Sequence, residues 1–242
     1  MIYRLVIAPT QQQSGQIILT SQQQHYLNRV LRLGEGDRFV AMDGQGQSWL
    51  AQLAKDKAQI IEPLTGSTEL SVAVTLMAAL PKGNGFEQIV RCCTELGVTA
   101  FVPVISDRTL LKPSSHKLER WRRIAQEAAE QSERQIVPGI AEPAHFTKAL
   151  ERVGDSRTDC YICVARQDAN HLLDYLENRK PKNIVIATGP EGGWTAQEIE
   201  AAIAASFQPV SLGSRVLRAI TAPIVASSLA AATAEKQTTN NK

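Results

Sequence analysis

The chain has 242 residues, of which 43% are hydrophobic and 21% are charged, a composition typical of a globular protein with one large or two smaller domains. Its net charge of +2 permits a nucleic-acid partner without arguing for one. No apolar stretch approaches the roughly 20 residues that cross a membrane, and the first residues lack the features of a signal peptide. We therefore expect a cytoplasmic protein with no membrane partner.

Residues 1–70 contain short strand-like runs separated by Gly, Asp, Asn and Gln, which predicts a small β-rich domain or barrel. One helical insert interrupts the strands, with Ser21 as its cap and Gly34 at its end. Its predicted apolar stripe comprises Tyr26, Leu27, Val30 and Leu31. The insert also carries Arg29 and Arg32, so it could contact an acidic partner.

From Ser71 onward, apolar strands alternate with helical patterns. The predicted strands are 71–80, 98–104, 159–165, 183–188 and 208–212. The predicted helices are 84–96, 115–134, 169–179, 195–205 and 222–236. Near-continuous apolar strands that alternate with helices predict an α/β domain whose mostly parallel sheet is covered on both faces.

The four cysteines could indicate a metal site or a reduced core. Cys160 and Cys163 have the spacing of half a zinc site, but they lie in a predicted buried strand. Cys92 and Cys93 are adjacent on a helical pattern, and no second Cys/His pair has suitable spacing. We expect buried thiols and no metal.

A glycine-containing turn, GPEGG at 189–193, joins an apolar strand to a helical pattern. Thr195 and Glu198 form a predicted capping box, so the helix satisfies part of its own amino end. A phosphate cradle would leave these N–H groups free and add a cation, whereas this turn carries Glu191. The turn is therefore either purely structural, with glycine adopting positive φ, or holds a ligand without net negative charge.

A second strand, loop and helix follow in SLGSRVLRAITAPIVASSLAAATAEK, residues 211–236. Thr221 is a plausible helix cap, and Pro223 is tolerated in a first helical turn. The loop carries Arg215 and Arg218 among apolar residues. These arginines either pair with surface carboxylates or belong to a binding site.

Together, GPEGGWTAQE and LGSRVLRAITA resemble the two characteristic loops of the SPOUT methyltransferases, and more narrowly those of the RsmE family of 16S ribosomal RNA uridine-N3 methyltransferases. Further stretches extend the resemblance over nearly the whole chain: HYLNRVLRLGEGD and MDGQGQ, LPKGNGFEQIVRCCTELGV, FVPVISDRT and RWRRIAQEAAEQSERQIVPGI. The resemblance implies a PUA-like RNA-binding β-barrel domain at 1–70 and a trefoil-knotted SPOUT methyltransferase domain at 71–242.

The resemblance also implies a homodimer that binds S-adenosyl-L-methionine and methylates N3 of a uridine in 16S rRNA of the 30S subunit. The cofactor-binding residues that it implies are Gly189, Pro190, Glu191, Gly192, Gly193, Leu212, Gly213, Ser214 and Leu217. Uridine N3 must lose a proton, and a nearby cation would stabilise the resulting anion. Arg218 is the first candidate for this catalytic role and Arg215 is the second.

One position departs from the resemblance. The family pattern after the second loop usually runs Arg-x-Glu-Thr-Ala, whereas this chain has Ile220 in place of the glutamate. An alternative is therefore a SPOUT-fold RNA-binding protein with a changed target or lost activity. A third hypothesis is a Rossmann-like nucleotide-binding enzyme, but the acidic ribose partner expected about twenty residues beyond the turn is absent from the sequence.

The stretch 108–123 is rich in cations and contains one carboxylate, Glu119. Such a run is either a solvated helix face or an RNA-binding surface. With the resemblance, we expect RNA contacts from this stretch and from the amino-terminal insert; the residues are Arg29, Arg32, Arg108, Lys112, Arg122 and Arg123. All four histidines (His25, His116, His145 and His171) lie outside both loops and are expected to be exposed or structural.

Overall fold

The computed structural model describes residues 2–109, 113–153, 157–179 and 181–239. The chain divides into two compact units, the first comprising Met1–Glu69 with Gln126–Val137 and the second Leu70–Ala125 with Pro138–Lys242. The sequence-based domain boundary at residue 70 did not anticipate that residues 126–137 belong with the amino-terminal unit.

The amino-terminal unit contains a six-stranded sheet with the order β1-β4-β5-β6-β3-β2. The strands are β1 (Arg4–Val6), β2 (Gln12–Gln13), β3 (Gln16–Ile18), β4 (Arg38–Met42), β5 (Ser48–Ala54) and β6 (Lys57–Pro63). β1 and β4 pair in parallel, and the other pairs are antiparallel. Alternate residues of these strands, including Leu5, Ile17 and Leu53, form the unit's apolar core. The predicted β-rich domain is therefore present.

The helical insert differs from its prediction. Helix α1 (Ser21–His25) is capped by Thr20, whose hydroxyl accepts a hydrogen bond from the Gln23 amide at 3.2 Å. The helix continues as a π-helical turn over Tyr26–Val30. This wider turn disrupts the 3.6-residue period from which the stripe was predicted. As a result, Leu27 is buried, but 36% of Tyr26 and 58% of Val30 are exposed.

A buried ion pair fixes the later segment within the amino-terminal unit. The Arg134 guanidinium donates to both Glu69 carboxylate oxygens, and the two side chains are only 4% and 11% exposed. One Glu69 oxygen also accepts the backbone amides of Gln135 and Ile136, each at 3.0 Å. One carboxylate thus satisfies three consecutive residues of the 126–137 segment.

The second unit contains a seven-stranded sheet, with the order β10-β8-β7-β12-β11-β13 and with β9 paired to β8. Its strands are β7 (Ala73–Ala79), β8 (Ala100–Ile105), β9 (Gly139–Ile140), β10 (Ala144–His145), β11 (Thr158–Cys163), β12 (Asn183–Thr188) and β13 (Phe207–Val210). Every pairing between these strands is parallel. Five consecutive residues of β12, Ile184–Thr188, are buried, as a strand covered on both faces requires. The predicted parallel α/β sheet is confirmed.

The helices are α2 (Gly85–Glu95), α3 (Ser115–Gln131), α4 (Phe146–Leu150), α5 (Leu172–Arg179), α6 (Ala196–Ala204) and α7 (Thr221–Thr239). Helices α4 and α6 pack into the apolar cluster on one face of the second sheet, and α7 contacts β7 and β12. The sequence did not predict β9, β10 or α4, because two to five residues are too few to establish a period. None of the described helices is both long and apolar enough to cross a membrane.

We predict that Glu69→Gln strongly destabilises the amino-terminal unit, by about 3–5 kcal/mol, because it leaves the buried Arg134 charge without a counter-charge. Hydrogen exchange of the β4–β6 amides would measure the change in local unfolding free energy. The matched control is Glu133→Gln, which removes the exposed Arg4–Glu133 pair of the same unit, at 2.9 Å and with Glu133 54% exposed. That variant should lose no more than about 1 kcal/mol. Equal losses in both variants would refute the assigned role of Glu69.

Candidate active site

A cavity of about 600 Å³ opens at the carboxyl ends of β11, β12 and β13. Parallel pairing of β11 with both neighbours brings these three strand ends together. The walls come from the loops that follow the strands, at 163–171, 189–194 and 211–219, together with Arg108, Ile199 and Ala222. Ligands of open α/β sheets commonly bind at such an edge.

The residues predicted to bind a cofactor converge on this cavity. The following nine residues line it: Gly189, Pro190, Glu191, Gly192, Gly193, Leu212, Gly213, Ser214 and Leu217. Arg215 lines the cavity as well, whereas the exposed Arg218 is not among the lining residues. The Arg218 carbonyl instead accepts the amides of Thr221 and Ala222, at 2.9 and 3.0 Å, and so helps begin α7.

Each of the three glycines in the first loop occupies a position where a side chain would be unfavourable, for a different physical reason. A Cβ at Gly189 would lie 3.3 Å from the Trp194 indole, and a Cβ at Gly192 would lie 3.0 Å from Cδ of Arg108. Gly193 has φ of +69°, a conformation that side chains disfavour, and its amide donates to the Pro190 carbonyl at 2.9 Å. The glycines thus allow close packing around a tight turn, leaving its backbone along the cavity wall.

The loop after β8 is hydrogen-bonded to this turn and to the start of α6. Arg108 donates to the Gly192 carbonyl at 2.6 Å. The Asp107 amide donates to Glu198 at 3.0 Å, and the Thr195 hydroxyl donates to the Asp107 carboxylate at 3.1 Å. We refer to these three hydrogen bonds as the Asp107–Arg108 clasp. Arg108, predicted to face RNA, therefore lies in the cavity wall with its guanidinium engaged within the chain.

Helix α6 begins with the predicted capping box. Thr195 Oγ1 accepts the Glu198 amide at 3.2 Å, and the Glu198 carboxylate accepts the Thr195 amide at 2.8 Å. Glu198 is 5% exposed, so its carboxylate is buried at the helix amino end. An anion already occupies the electropositive end of the helix, which disfavours a phosphate there.

Glu191 connects two loops. Its carboxylate accepts the backbone amide of Lys82, in the loop between β7 and α2, at 2.9 Å. A carboxylate in this turn therefore holds a neighbouring loop through a charge-assisted hydrogen bond.

The third wall of the cavity was not predicted. Cys163, Arg166, Gln167 and His171 come from the loop between β11 and α5. This loop is hydrogen-bonded to the next one, because the Ser211 amide donates to the Asn170 carbonyl at 2.9 Å. His171, expected to be merely exposed or structural, lies in the wall, and its Nδ1 accepts the Leu173 amide at 3.2 Å. Only the strand order, which the sequence pattern does not contain, brings this loop to the site.

The departure at Ile220 has a local structural counterpart. A Cβ at Gly85, the first residue of α2, would lie 2.9 Å from Cδ1 of Ile220 and 2.9 Å from Cγ of Pro81. Ile220 therefore occupies space that any side chain at residue 85 would need. The position is an apolar contact between α2 and the second loop.

The cations of the 108–123 stretch are largely engaged within the chain. Arg120 pairs with Glu87 at 2.8 Å, and Arg122 donates to the Ile140 carbonyl at 3.3 Å and lies 3.6 Å from Glu142. Arg123 also has a partner. Lys112 lies outside the described residues. In the amino-terminal unit Arg29 and Arg32 are both exposed, and Arg32 has a positive φ of 58°.

Burial raises the thiol pKa of three of the four cysteines. Burial raises the pKa of Cys163, in the cavity wall, to about 12, and burial likewise raises the pKa of Cys93 to about 12. Burial is also the main cause of a raised pKa at Cys92. Within the described ranges, no group of three His, Cys, Asp or Glu side chains could hold a metal ion.

We predict that Cys163 resists alkylation by iodoacetamide at pH 8 in the native protein. With a pKa of about 12, only roughly one thiol in ten thousand is ionised at that pH, and the thiolate is the reactive form. Mass spectrometry of the Cys163 peptide would measure the labelling rate, with the same protein in urea as the fully reactive control. Labelling of the native thiol at the rate seen in urea would contradict the prediction.

Comparisons with known proteins agree with the resemblance inferred from the two loops. A family model described as an RNA methyltransferase domain matches residues 68–231, and another described as an RNA methyltransferase PUA domain matches residues 19–62. The ribosomal RNA small subunit methyltransferase E of Synechocystis is 55% identical over 230 residues, covering 93% of this chain and 76% of that protein. The Bacillus subtilis protein of the same name is 33% identical over 222 residues, covering 86% of each.

A solved structure gives the same result. The ribosomal RNA small subunit methyltransferase E of Neisseria gonorrhoeae, crystallised with S-adenosylmethionine, matches with a TM-score of 0.85 and 33% identity. The match covers 99% of this chain and 98% of that one. The predicted α/β fold with an amino-terminal PUA domain and the predicted family are therefore confirmed. Since the matches span both units and every residue of the cavity wall, the chain belongs to the ribosomal RNA small subunit methyltransferase E family.

Proposed function

We propose that this enzyme transfers the methyl group of S-adenosyl-L-methionine to N3 of a specific uridine in 16S rRNA. The observation that carries the proposal is the cavity of about 600 Å³, whose wall combines the backbone of both glycine loops with the arginines Arg108, Arg166 and Arg215. Family membership supports the reaction class. The uridine and its N3 atom come from the resemblance of the two loops to RsmE enzymes.

The chemistry of the wall fits S-adenosyl-L-methionine better than a phosphate-bearing cofactor. The buried Glu198 carboxylate occupies the amino end of α6, whereas phosphate sites keep that end free. Backbone exposed by Gly189, Gly192, Gly193 and Gly213 could hold a nucleoside through uncharged groups. In this proposal, the nine lining residues of the two glycine loops hold the cofactor, which supplies an electrophilic methyl group on a sulfonium.

The remaining task of the protein is to orient the uridine and stabilise its anion. Methyl transfer is an in-line displacement, so positioning accounts for much of the rate. Arg215 is the favoured cation because it lines the cavity, and a guanidinium there would stabilise the negative charge that develops as N3 loses its proton. Arg218 is the second candidate, because it is exposed but does not line the cavity.

We propose that several cations outside the cavity contact the RNA. Arg29 and Arg32 are exposed, and we assign them to RNA phosphates at the amino-terminal unit, with Arg122, Arg123 and Lys112 as further candidates. For Arg108 the observed hydrogen bond to Gly192 favours a role in holding the cofactor loop. We further propose that the substrate is 16S rRNA within the 30S subunit, that the enzyme acts as a homodimer, and that it works in the cytoplasm.

A methyl-transfer assay tests the proposal. Radiolabelled S-adenosyl-L-methionine would be incubated with 30S particles that lack native methylation, and the labelled nucleoside would be identified after digestion. We expect 3-methyluridine at one position, transferred by the wild-type chain with Ile220 in place. Cofactor binding without any transfer would instead support the RNA-binding alternative.

We predict that Arg215→Ala lowers kcat by about 10²–10³, the loss typical of removing one group that stabilises a developing anion. The dissociation constant of S-adenosyl-L-methionine, measured by calorimetry, should change by less than about twofold, because the arginine acts on the uridine. Arg218→Ala is the matched comparison. A larger kcat loss in Arg218→Ala than in Arg215→Ala would reverse the assignment.

A further inference from the structure

The cavity wall carries positively charged side chains that have no partner within the described chain. Of its charged residues, Arg108 is bound to the Gly192 carbonyl at 2.6 Å and Glu191 to the Lys82 amide at 2.9 Å. Arg166 and Arg215 also line the cavity, and within the described chain neither has a hydrogen bond or an ion pair. The two arginines come from different loops, so the unpaired positive charge is distributed over two walls of the cavity.

The sign of this charge favours RNA over the cofactor as its ligand. S-adenosyl-L-methionine combines a sulfonium with a zwitterionic amino-acid end, so its net charge is positive. Two free guanidinium groups would weaken rather than strengthen its binding. RNA instead carries one negative charge per nucleotide, and arginine binds phosphate through two parallel hydrogen bonds. Arg215 is already assigned to the uridine, which leaves Arg166 for the RNA backbone.

The backbone at Arg166 supports a role for its side chain. Its φ of +60° is in the left-handed region, which glycine adopts without strain and arginine does not. Six non-glycine residues of the described chain have positive φ, and Arg166 alone among them lines the cavity. Its side chain is exposed, as a group that captures an incoming polyanion must be. An arginine at a position suited to glycine or asparagine suggests that the guanidinium itself is used.

We propose that Arg166 binds a phosphate next to the target uridine and so anchors the RNA strand at the cavity. The proposal rests on the proposed function and adds an RNA-binding residue on the loop between β11 and α5. It also divides the site, because the two glycine loops hold the cofactor and present Arg215 to the uridine, while the third loop holds the RNA backbone.

Three variants test the assignment. Arg166→Asn removes the charge with a residue that tolerates positive φ, and Arg166→Lys keeps the charge. Arg91→Gln is the matched control, because Arg91 is exposed on α2 and does not line the cavity. The probe is 30S particles that carry unmodified 16S rRNA, bound in the presence of S-adenosylhomocysteine at salt concentrations between about 50 and 200 mM. S-adenosyl-L-methionine binding and methyl transfer are measured in parallel.

We expect Arg166→Asn to weaken rRNA binding about tenfold at the lowest salt. The slope of log affinity against log salt should shrink by about 0.7–1, which corresponds to one lost phosphate contact. The dissociation constant of S-adenosyl-L-methionine should stay within about twofold of wild type. Arg166→Lys should recover most of the rRNA affinity and the full salt slope, and Arg91→Gln should match wild type.

Other results would overturn the proposal. Loss of S-adenosyl-L-methionine affinity in Arg166→Asn would assign the arginine to the cofactor, and an unchanged salt slope would exclude a phosphate contact. An equal effect in Arg91→Gln would show that Arg166 contributes only to the general positive charge of the protein and makes no specific phosphate contact. Any of these results could accompany normal methyl transfer by wild type, so they are distinguishable from failure of the proposed function. Wild type that neither methylates nor binds the rRNA would refute both.

Discussion

Parallel strand pairing is the constraint on which the site depends. Because β11 pairs in parallel with both β12 and β13, the three strands end at the same edge of the sheet. The loops that follow them therefore enclose one cavity, although more than fifty residues of chain separate Cys163 from Ala219. Antiparallel pairing of any one strand would remove its loop from the site. The apolar sequences of β11 and β12 favour this buried, parallel arrangement.

Hydrogen bonds between the loops then fix their shapes. The Asp107–Arg108 clasp and Glu191 attach the first glycine loop to the ends of β8 and β7. Several of these bonds involve charged groups, which makes them stronger than bonds between neutral groups. These bonds therefore hold the loop in place through contacts within the chain itself. The same bonds engage Arg108 and Glu191 within the chain, although the sequence alone would have left both side chains available to bind substrate.

Much of the fold could be predicted from local patterns, whereas the first two walls of the site were predicted from the resemblance of the two glycine loops to RsmE enzymes. Glycine positions, the Thr195–Glu198 capping box and the apolar periods depend on neighbours only a few residues away. Residues that act through distant partners could not be predicted in this way. Arg108 was assigned to the RNA surface because its partner, Gly192, is 84 residues away. The stripe through Tyr26 failed for a different reason, since a π-helical turn changes the period itself.

The sequence by itself determined most of the longer strands and helices, where the two glycine loops lie, and that the first loop is unsuited to phosphate, because these properties follow from local residue order. Only the tertiary structure decided that the loop between β11 and α5 shares the cavity and which of the described cations have no partner. Strand order brought Arg166 and His171 to the wall, and long-range hydrogen bonds engaged Arg108 and Glu191. Pairing between distant segments depends on how all the buried surfaces fit together, which no local pattern encodes.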